Sequence, residues 1–146
     1  MRAPFQILAI PFQKGTEIKY CVMHRSDCDL WQFVAGGGEE GETPQQAATR
    51  EILEEAGVHA NPTQLTSMSY LAANIIAEHY RTHWPKDIYV VPEYHFAFEC
   101  QGDVILSHEH TERVWVSYEE AFRLLSWETH KTALYELHCR LLAEKK

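Results

Sequence analysis

The segment from Gly36 to Val58, GGGEEGETPQQAATREILEEAGV, constrains the fold more than any other part of the chain. Its three leading glycines allow other groups to approach the backbone closely. A helix is then predicted from Pro44 to Ala56, because Thr43 suits the N-cap position and Gln46 completes a capping box. Gly57 suits the left-handed position that follows a helix. The sequence therefore predicts a glycine-rich turn that leads directly into one helix.

Three glutamates share one face of this predicted helix. Offsets of three and four residues place Glu51, Glu54 and Glu55 within an arc of about 100°. The opposite side carries residues that can pack on a sheet, namely Thr49, Ile52, Leu53 and Ala56. The carboxylates repel one another, and a hard divalent cation would offset that repulsion, since Mg²⁺ and Mn²⁺ prefer carboxylate oxygens. A solvated acidic face is the alternative interpretation of the same spacing.

The remaining elements predict an α+β fold with a mixed sheet. Two apolar runs around the turn signal Lys14-Gly15 predict a hairpin. Further strands are predicted at 31–35, where the glycines should end the strand, and at 65–73 and 114–116. Residues 87–99 predict either a pair of strands or one long strand broken at Pro92, and residues 74–86 predict a loop. Helices are predicted from a capping box at Ser117 to Leu125 and over 128–143. Strands and helices follow no regular β-α-β alternation, so helices should cover a mixed sheet.

Composition and length indicate which binding partners and which cellular compartment to expect. A length of 146 residues predicts a single domain over 1–146. The formal net charge of −8 argues against binding long nucleic acid through its phosphates. No apolar run is long enough for a membrane span, and the N-terminus lacks the pattern of a signal peptide. Four cysteines without a CxxC pair then suggest reduced thiols and a cytoplasmic location.

The combined spacing of the glycine turn and the acidic helix resembles the Nudix box. That pattern is G-x5-E-x7-R-E-U-x-E-E-x-G-U, where U is a bulky aliphatic residue. Each defined position is filled here, by Gly36, Glu42, Arg50, Glu51, Ile52, Glu54, Glu55, Gly57 and Val58. One departure precedes the box, where many members have Pro-Gly and this chain has Val34-Ala35. The resemblance implies the Nudix fold, a mixed β-sheet sandwiched between helices.

The resemblance also implies roles for the residues of the box. Glu51, Glu54 and Glu55 correspond to glutamates that bind Mg²⁺ or Mn²⁺. Arg50 corresponds to an arginine that orients them by ion pairing, and Glu42 to a glutamate that braces the loop. The glycines of the motif, Gly36 and Gly57, would be structural. The implied reaction is metal-dependent cleavage of a phosphoanhydride bond.

Two longer segments resemble bacterial dihydroneopterin triphosphate pyrophosphatases, a MutT-like branch that also attacks dATP-type nucleotides. They are LWQFVAGGGEEGETPQQAATRE and LSHEHTERVWVSYEEAFRLLSWETHKTALYEL. In that branch a fourth carboxylate precedes the Trp-Val strand and serves as metal ligand or general base. Glu109 matches its position and is preferred here, with Glu112 as the alternative. The general base is then Glu51 or Glu109, and the products are a monophosphate and pyrophosphate.

The sequence leaves further candidate site residues and several alternative functions open. Arg25 follows the second strand, where relatives often carry a residue that contacts phosphate, and Trp31 and Trp84 are further candidates for substrate contact. His108 and His110 flank Glu109 and could meet a metal. Alternative activities are hydrolysis of diadenosine polyphosphates, nucleoside diphosphate sugars or capped RNA, and a non-catalytic ligand-binding module. The expected partner is a small phosphorylated molecule, and the sequence decides neither monomer nor homodimer.

Overall fold

A computed structural model describes residues 1–144 of the chain. Its strands are β1 (Arg2–Gln13), β2 (Lys19–Arg25), β3 (Trp31–Gln32), β4 (Val34–Glu39), β5 (Thr63–Ala72), β6 (Val90–Glu99) and β7 (His110–Val116). Its α-helices are α1 (Pro44–Ala56), α2 (Glu78–Arg81), α3 (Tyr118–Leu124) and α4 (Glu128–Glu144), and a 3₁₀ turn covers Ala73–Ile75. No helix within residues 1–144 is both long enough and apolar enough to cross a membrane.

The strands form one mixed sheet around β1. The strand order is β3-β2-β1-β6-β5, with β4 paired to β1 and β7 paired to β2. Strand β1 runs parallel to β6 and antiparallel to β2 and β4. Strand β5 is antiparallel to β6, and β7 is antiparallel to β2. The predicted hairpin and the predicted mixed sheet are both present.

Helices cover both faces of the sheet, because successive side chains of β1 point to opposite sides. Ile7 and Ala9 pack with Ile52 of α1 on one face. Leu8 and Ile10 pack on the other face with residues of α3 and α4, including Leu134. This is the layered α+β arrangement that the resemblance implied. The acidic helix α1 is thereby fixed against the sheet over the first strand.

Two predicted breaks in strands are wrong. The glycines do not end a strand but continue β4, where Gly36 and Gly37 pair with Ile7 and Gln6 of β1. Strand β6 also runs unbroken through Pro92. Its pairing with β1 begins only at the next residue, Glu93, so the missing N–H of Pro92 removes no hydrogen bond on that side. The segment predicted as a loop contains the single-turn helix α2.

A buried ionic cluster joins the sheet to α4 on the face away from α1. Glu93 Oε1 lies 3.0 Å from His95 Nε2 and 3.5 Å from His130 Nε2, and it accepts a hydrogen bond from Ser69 Oγ at 3.3 Å. Burial alone would raise the pKa of Glu93, but the hydrogen bonds from His130 and His95 lower this pKa to about 2. The carboxylate is therefore more acidic in the folded protein than its ordinary value of 4.5.

This shift predicts the acid sensitivity of the fold. The folded pKa lies below the unfolded one, so the stabilisation is present above about pH 4.5 and is lost as the pH falls toward 2. We expect Glu93→Gln to lack this component, which corresponds to about 3 kcal/mol in the free energy of unfolding. Urea unfolding between pH 6 and pH 2.5 measures it, with the exposed Glu112→Gln as a control that keeps the wild-type profile. Parallel profiles for wild type and Glu93→Gln would contradict the assignment.

Candidate active site

The side chain of Arg50, in the middle of α1, is the centre of a hydrogen-bond network. Its Nε and Nη2 donate to the two carboxylate oxygens of Glu42, at 2.8 and 2.9 Å, and Nη2 also donates to the carbonyl of Gly37 at 2.9 Å. Its Nη1 donates to Glu51 at 2.9 Å and to Glu54 at 3.3 Å. The hydrogen bonds to Glu42 and Glu51 raise the pKa of Arg50, which stays charged. One guanidinium thus ties the loop, β4 and two glutamates together.

The ends of α1 are formed as the sequence predicts. Thr43 Oγ1 accepts a hydrogen bond from the backbone N–H of Gln46, and the Gln46 side chain accepts one from the backbone N–H of Thr43. Gly57 adopts the left-handed conformation, with φ of 69°, and its N–H donates to the carbonyl of Leu53. These local signals fix the register of α1, and therefore which residues face β4.

Glycine at position 36 is required by the packing of Glu51. A Cβ built on Gly36 would overlap the carboxylate of Glu51, which lies directly against the backbone of β4. The same holds one residue further, where a Cβ on Gly37 would overlap the guanidinium of Arg2. The glycines therefore provide room for two charged side chains that approach from α1 and from β1.

Glu55 is buried, which differs from the predicted shared acidic face. Only 3% of Glu55 is exposed, and neither of its carboxylate oxygens has a hydrogen-bond partner among the described residues. Burial and the neighbouring Glu51 carboxylate raise the pKa of Glu55 strongly. The predicted opposite face is partly wrong, since Thr49 and Leu53 are exposed, and the buried residues of the helix are Ala47, Ala48, Ile52, Glu55 and Ala56. Position 55 falls on the apolar side because it follows Ala48 and Ile52 by seven and three residues.

A cleft of about 640 Å³ opens beside Glu51 and Glu54. Its opposite wall is formed by Arg25, Ser26, Asp27, His108 and Glu109. The N–H and Oγ of Ser26 both donate to the carbonyl of Glu109, at 2.9 and 3.0 Å, which holds the segment before β7 against the end of β2. Glu112 lies further along β7, outside this lining. The placement favours Glu109 over Glu112 as the fourth carboxylate.

Two of the three predicted substrate-contact residues lie outside the cleft. Arg25 lines it, with its guanidinium bonded to both carboxylate oxygens of Asp27 at 2.7 and 2.6 Å. Trp31 instead packs against the hydrophobic core under α3 and α4, edge-on to His24. Trp84 is buried, and its indole N–H donates to the carbonyl of Arg2 at 2.8 Å. The geometry gives no support to direct substrate contact by either tryptophan.

Sequence reasoning missed Arg2 and Tyr80, which both line the cleft. The guanidinium of Arg2 lies 5.9 Å from the centre of the Tyr80 ring, in a cation–π arrangement, and contacts the side chain of Gln6. Within residues 1–144, Arg2 is the cleft arginine that forms no ion pair with a carboxylate, unlike Arg25 and Arg50. No local motif marks it, because its environment is created by contacts with residues about 80 positions away.

The donor set of the cleft fits a hard divalent cation. Carboxylate oxygens are the ligands that Mg²⁺ and Mn²⁺ prefer, and the buried oxygens of Glu55 lack partners. As placed, no three His, Cys, Asp or Glu side chains within the described part of the chain stand in a metal-binding arrangement. The carboxylates would therefore have to rotate to share an ion. Glu54 is free to do so, with 57% of its side chain exposed and a single ion pair to Arg50.

Comparison with known proteins decides the family. Residues 5–137 match the family described as the NUDIX domain. The chain belongs to the NUDIX domain family. A Listeria monocytogenes protein whose crystal structure carries a NUDIX hydrolase description is 44% identical to this chain, with a TM-score of 0.81 and 97% of each chain covered. The predicted family and the predicted fold are both confirmed.

The curated relatives of this Nudix hydrolase are named for different substrates. A dihydroneopterin triphosphate diphosphatase of Haemophilus influenzae is 28% identical over 131 residues, which cover 88% of this chain and 83% of the relative. An asymmetrical bis(5'-nucleosyl)-tetraphosphatase of Sus scrofa is 28% identical over 135 residues, covering 92% and 88%. The chain is therefore a Nudix pyrophosphohydrolase, which acts on small phosphorylated substrates.

Proposed function

We propose that this Nudix hydrolase cleaves a triphosphate substrate, dihydroneopterin triphosphate or a deoxynucleoside triphosphate, to a monophosphate and pyrophosphate. The observation that carries the proposal is the burial of Glu55, whose unpartnered oxygens lie beside the carboxylate of Glu51, a residue that lines the cleft. Ionising a buried carboxyl group costs free energy, which is why burial raises the pKa of Glu55, and a bound cation offsets that cost. A solvated acidic face would not bury this carboxylate.

Four carboxylates would hold the ion, those of Glu51, Glu54, Glu55 and Glu109. Bound Mg²⁺ or Mn²⁺ supplies neutralisation of the phosphate oxygens and a lowered pKa of the attacking water. Arg50 keeps Glu51 and Glu54 in place through its hydrogen bonds at 2.9 and 3.3 Å. Glu42 in turn fixes Arg50, and its Oε1 accepts a further bond from the backbone N–H of Glu39 at 2.8 Å.

Glu109 is the better placed of the two candidate general bases. Its carboxylate is exposed in the cleft, and no hydrogen bond or ion pair within residues 1–144 engages it. Glu51 is already bonded to Arg50 and confined against Gly36. A base must reach the water and accept its proton, so a free carboxylate at the cleft wall is suited to that role.

Substitution at positions 109 and 112 separates the two glutamates that the sequence left open. We expect Glu109→Gln to lower kcat by about a hundredfold or more, since general bases contribute at least that much. Glu112→Gln should leave kcat within about twofold of wild type, because Glu112 lies outside the cleft. Steady-state kinetics with saturating Mg²⁺ measure both, and a larger loss in Glu112→Gln would reverse the assignment.

Arg2 is suited to bind the phosphate chain of the substrate. Burial lowers the pKa of Arg2, yet a guanidinium remains protonated at neutral pH and gains from an anionic partner. His83 Nε2 and Trp84 Nε1 both lie 2.8 Å from the carbonyl oxygen of Arg2. These two contacts fix the Arg2 backbone and therefore the point at which the Arg2 side chain enters the cleft. Trp84 would thus act through Arg2 rather than on the substrate.

Removal of the Arg2 charge should weaken substrate binding, which raises KM, and should affect the rate of the chemical step, kcat, much less. We expect Arg2→Met, which keeps the apolar stem against Tyr80, to raise KM about tenfold while kcat changes by less than about threefold. Arg123→Met removes an equal charge from the exposed face of α3 and should leave both constants unchanged. An unchanged KM in Arg2→Met would exclude the phosphate contact.

A panel of substrates tests the proposed reaction. Dihydroneopterin triphosphate, deoxynucleoside triphosphates, ADP-ribose and diadenosine polyphosphates are incubated with the enzyme and Mg²⁺, and pyrophosphate and orthophosphate are counted separately. We expect the highest kcat/KM for one of the triphosphates, with pyrophosphate released in equal amount to monophosphate. Release of orthophosphate alone, or turnover restricted to ADP-ribose, would contradict the proposal.

Hydrolysis of diadenosine polyphosphates is the second candidate. The Sus scrofa tetraphosphatase is as similar to this chain as the Haemophilus influenzae diphosphatase, at 28% identity in each case. A nucleoside diphosphate sugar hydrolase and a non-catalytic binding module lack a comparable observation in their favour. In the same panel, ATP appearing with AMP from diadenosine tetraphosphate at the highest kcat/KM would select this second candidate.

A further inference from the structure

We propose that His110 is a positioning residue that orients Glu55 for binding the divalent cation. This inference rests on the proposed function, because it concerns the same carboxylate set. The observation behind it is that two buried, unpartnered polar groups face one another. His110 Nδ1 lies 4.0 Å from Glu55 Oε1, and neither atom has a hydrogen-bond partner among the described residues.

His110 lies behind the cleft rather than in it. It is the first residue of β7, beside the irregularity at which β7 pairs with Arg25 of β2. Its side chain has no exposed surface, whereas its neighbours Glu109 and Thr111 are exposed. His110 is therefore placed to contact Glu55 from the protein side, and direct contact with the substrate is not available to it.

The contact made by His110 Nε2 determines which of the two ring nitrogens carries the proton. His110 Nε2 lies 3.2 Å from Nε2 of Gln32, which is buried on β3. An amide nitrogen can only donate, so His110 Nε2 must accept. The proton of the neutral ring is then on Nδ1, the atom that faces Glu55. Gln32 thus selects the tautomer that presents a donor to the carboxylate.

A donor at this position gives Glu55 a defined orientation. A rotation of the Glu55 side chain that closed the 4.0 Å separation to hydrogen-bond length would occupy one oxygen and leave the second oxygen for a cation beside Glu51, which lines the cleft. One oxygen would then be held by the imidazole and the other available to the cation. Groups that hold a metal ligand in this way typically contribute ten- to hundredfold to metal affinity.

Mn²⁺ affinity, measured by electron paramagnetic resonance without substrate, tests the inference independently of turnover. We expect His110→Leu to weaken Mn²⁺ binding at least about tenfold. His110→Asn places an amide nitrogen close to the position of Nδ1 and should retain affinity within about threefold. If His110→Leu does not fold, His110→Gln replaces it, since its amide reaches the Gln32 side and should bind Mn²⁺ more weakly than His110→Asn.

A matched control separates positioning from general destabilisation. His130 is also buried, also has an unpartnered Nδ1, and lies beside Glu93 on the other face of the sheet. We expect His130→Leu to lower the unfolding temperature while Mn²⁺ affinity stays within about twofold of wild type. A double-mutant cycle with Glu55→Gln should show that the effect of His110→Leu on Mn²⁺ affinity disappears once the carboxylate is removed.

The outcomes distinguish this inference from the proposed function. Wild-type binding of Mn²⁺ together with unchanged affinity in His110→Leu would overturn the positioning role alone. An effect of His110→Leu that persists in the Glu55→Gln background would also overturn it. A wild-type protein that binds no Mn²⁺ would overturn the proposed function and the positioning role together.

Discussion

We expect the replacement of Glu54 by glutamine to lower kcat by about a thousandfold while leaving the unfolding temperature within about 2 °C of wild type. The two effects separate because the Glu54 side chain is 57% exposed and contributes one ion pair, at 3.3 Å, to the fold. Exposed ion pairs of this kind stabilise proteins by at most about 1 kcal/mol. Its carboxylate, however, is the most exposed of the three glutamates on α1 and would complete the ligand set around the ion.

A comparable glutamate far from the cleft provides the control for Glu54. Glu17 lies between β1 and β2 with 64% of its side chain exposed, and it also forms a single ion pair, to Lys19 at 3.7 Å. Glu17→Gln should leave both kcat and the unfolding temperature unchanged. Steady-state kinetics and thermal unfolding of the two variants, side by side, measure the difference. A loss in Glu54→Gln of less than about tenfold would remove Glu54 from the ligand set.

Gly36→Ala should lower kcat/KM by about a hundredfold with little loss of stability. The added Cβ would overlap the Glu51 carboxylate, which cannot move aside without breaking its 2.9 Å hydrogen bond from Arg50. Gly36 does not have a positive φ, so alanine can adopt its backbone conformation. The substitution should therefore displace the Glu51 carboxylate and leave the backbone unchanged. Displacement of a catalytic group by about 1 Å lowers the rate on the order of a hundredfold.

Gly102→Ala is the matched control for Gly36→Ala. A Cβ at Gly102 meets no atom within 4 Å, and this glycine also lacks a positive φ. We expect its kcat/KM and unfolding temperature to equal those of wild type. Mn²⁺ affinity should fall in Gly36→Ala alone, which ties the loss to the carboxylate. Full activity in Gly36→Ala would show that the position of Glu51 is not critical.

The sequence predicted α1 from end to end because its signals are local. The Thr43 cap, the Gln46 capping box and the Gly57 terminus act within a few residues of the helix, and the structure places each as expected. The same locality explains the spacing of Glu51 and Glu54 on one face. The family resemblance added what local signals cannot supply, namely the sheet that α1 covers and the class of reaction.

Contacts between distant segments could not be predicted in the same way. The hydrogen bond from the Trp84 indole to the Arg2 carbonyl joins residues 82 positions apart, and neither residue has a local sequence pattern that marks the contact. The burial of Glu55 depends on His110 of β7 and on the sheet beneath α1, whereas helical spacing predicts only that this glutamate shares a face with Glu51 and Glu54. The glycines of β4 predict a turn by their residue type, whereas pairing with the distant strand β1 holds them in an extended conformation.

Mn²⁺ titration of wild type and Glu55→Gln, followed by electron paramagnetic resonance, tests whether the buried Glu55 carboxylate binds the cation. Glutamine has the same shape as glutamate, so Glu55→Gln keeps the side chain in place and removes the carboxylate that would bind a cation beside Glu51. Saturable binding of Mn²⁺ by wild type, weakened at least about tenfold in a folded Glu55→Gln protein, is the predicted result. Equal affinity in the two proteins would show that Glu55 is not a ligand of the cation.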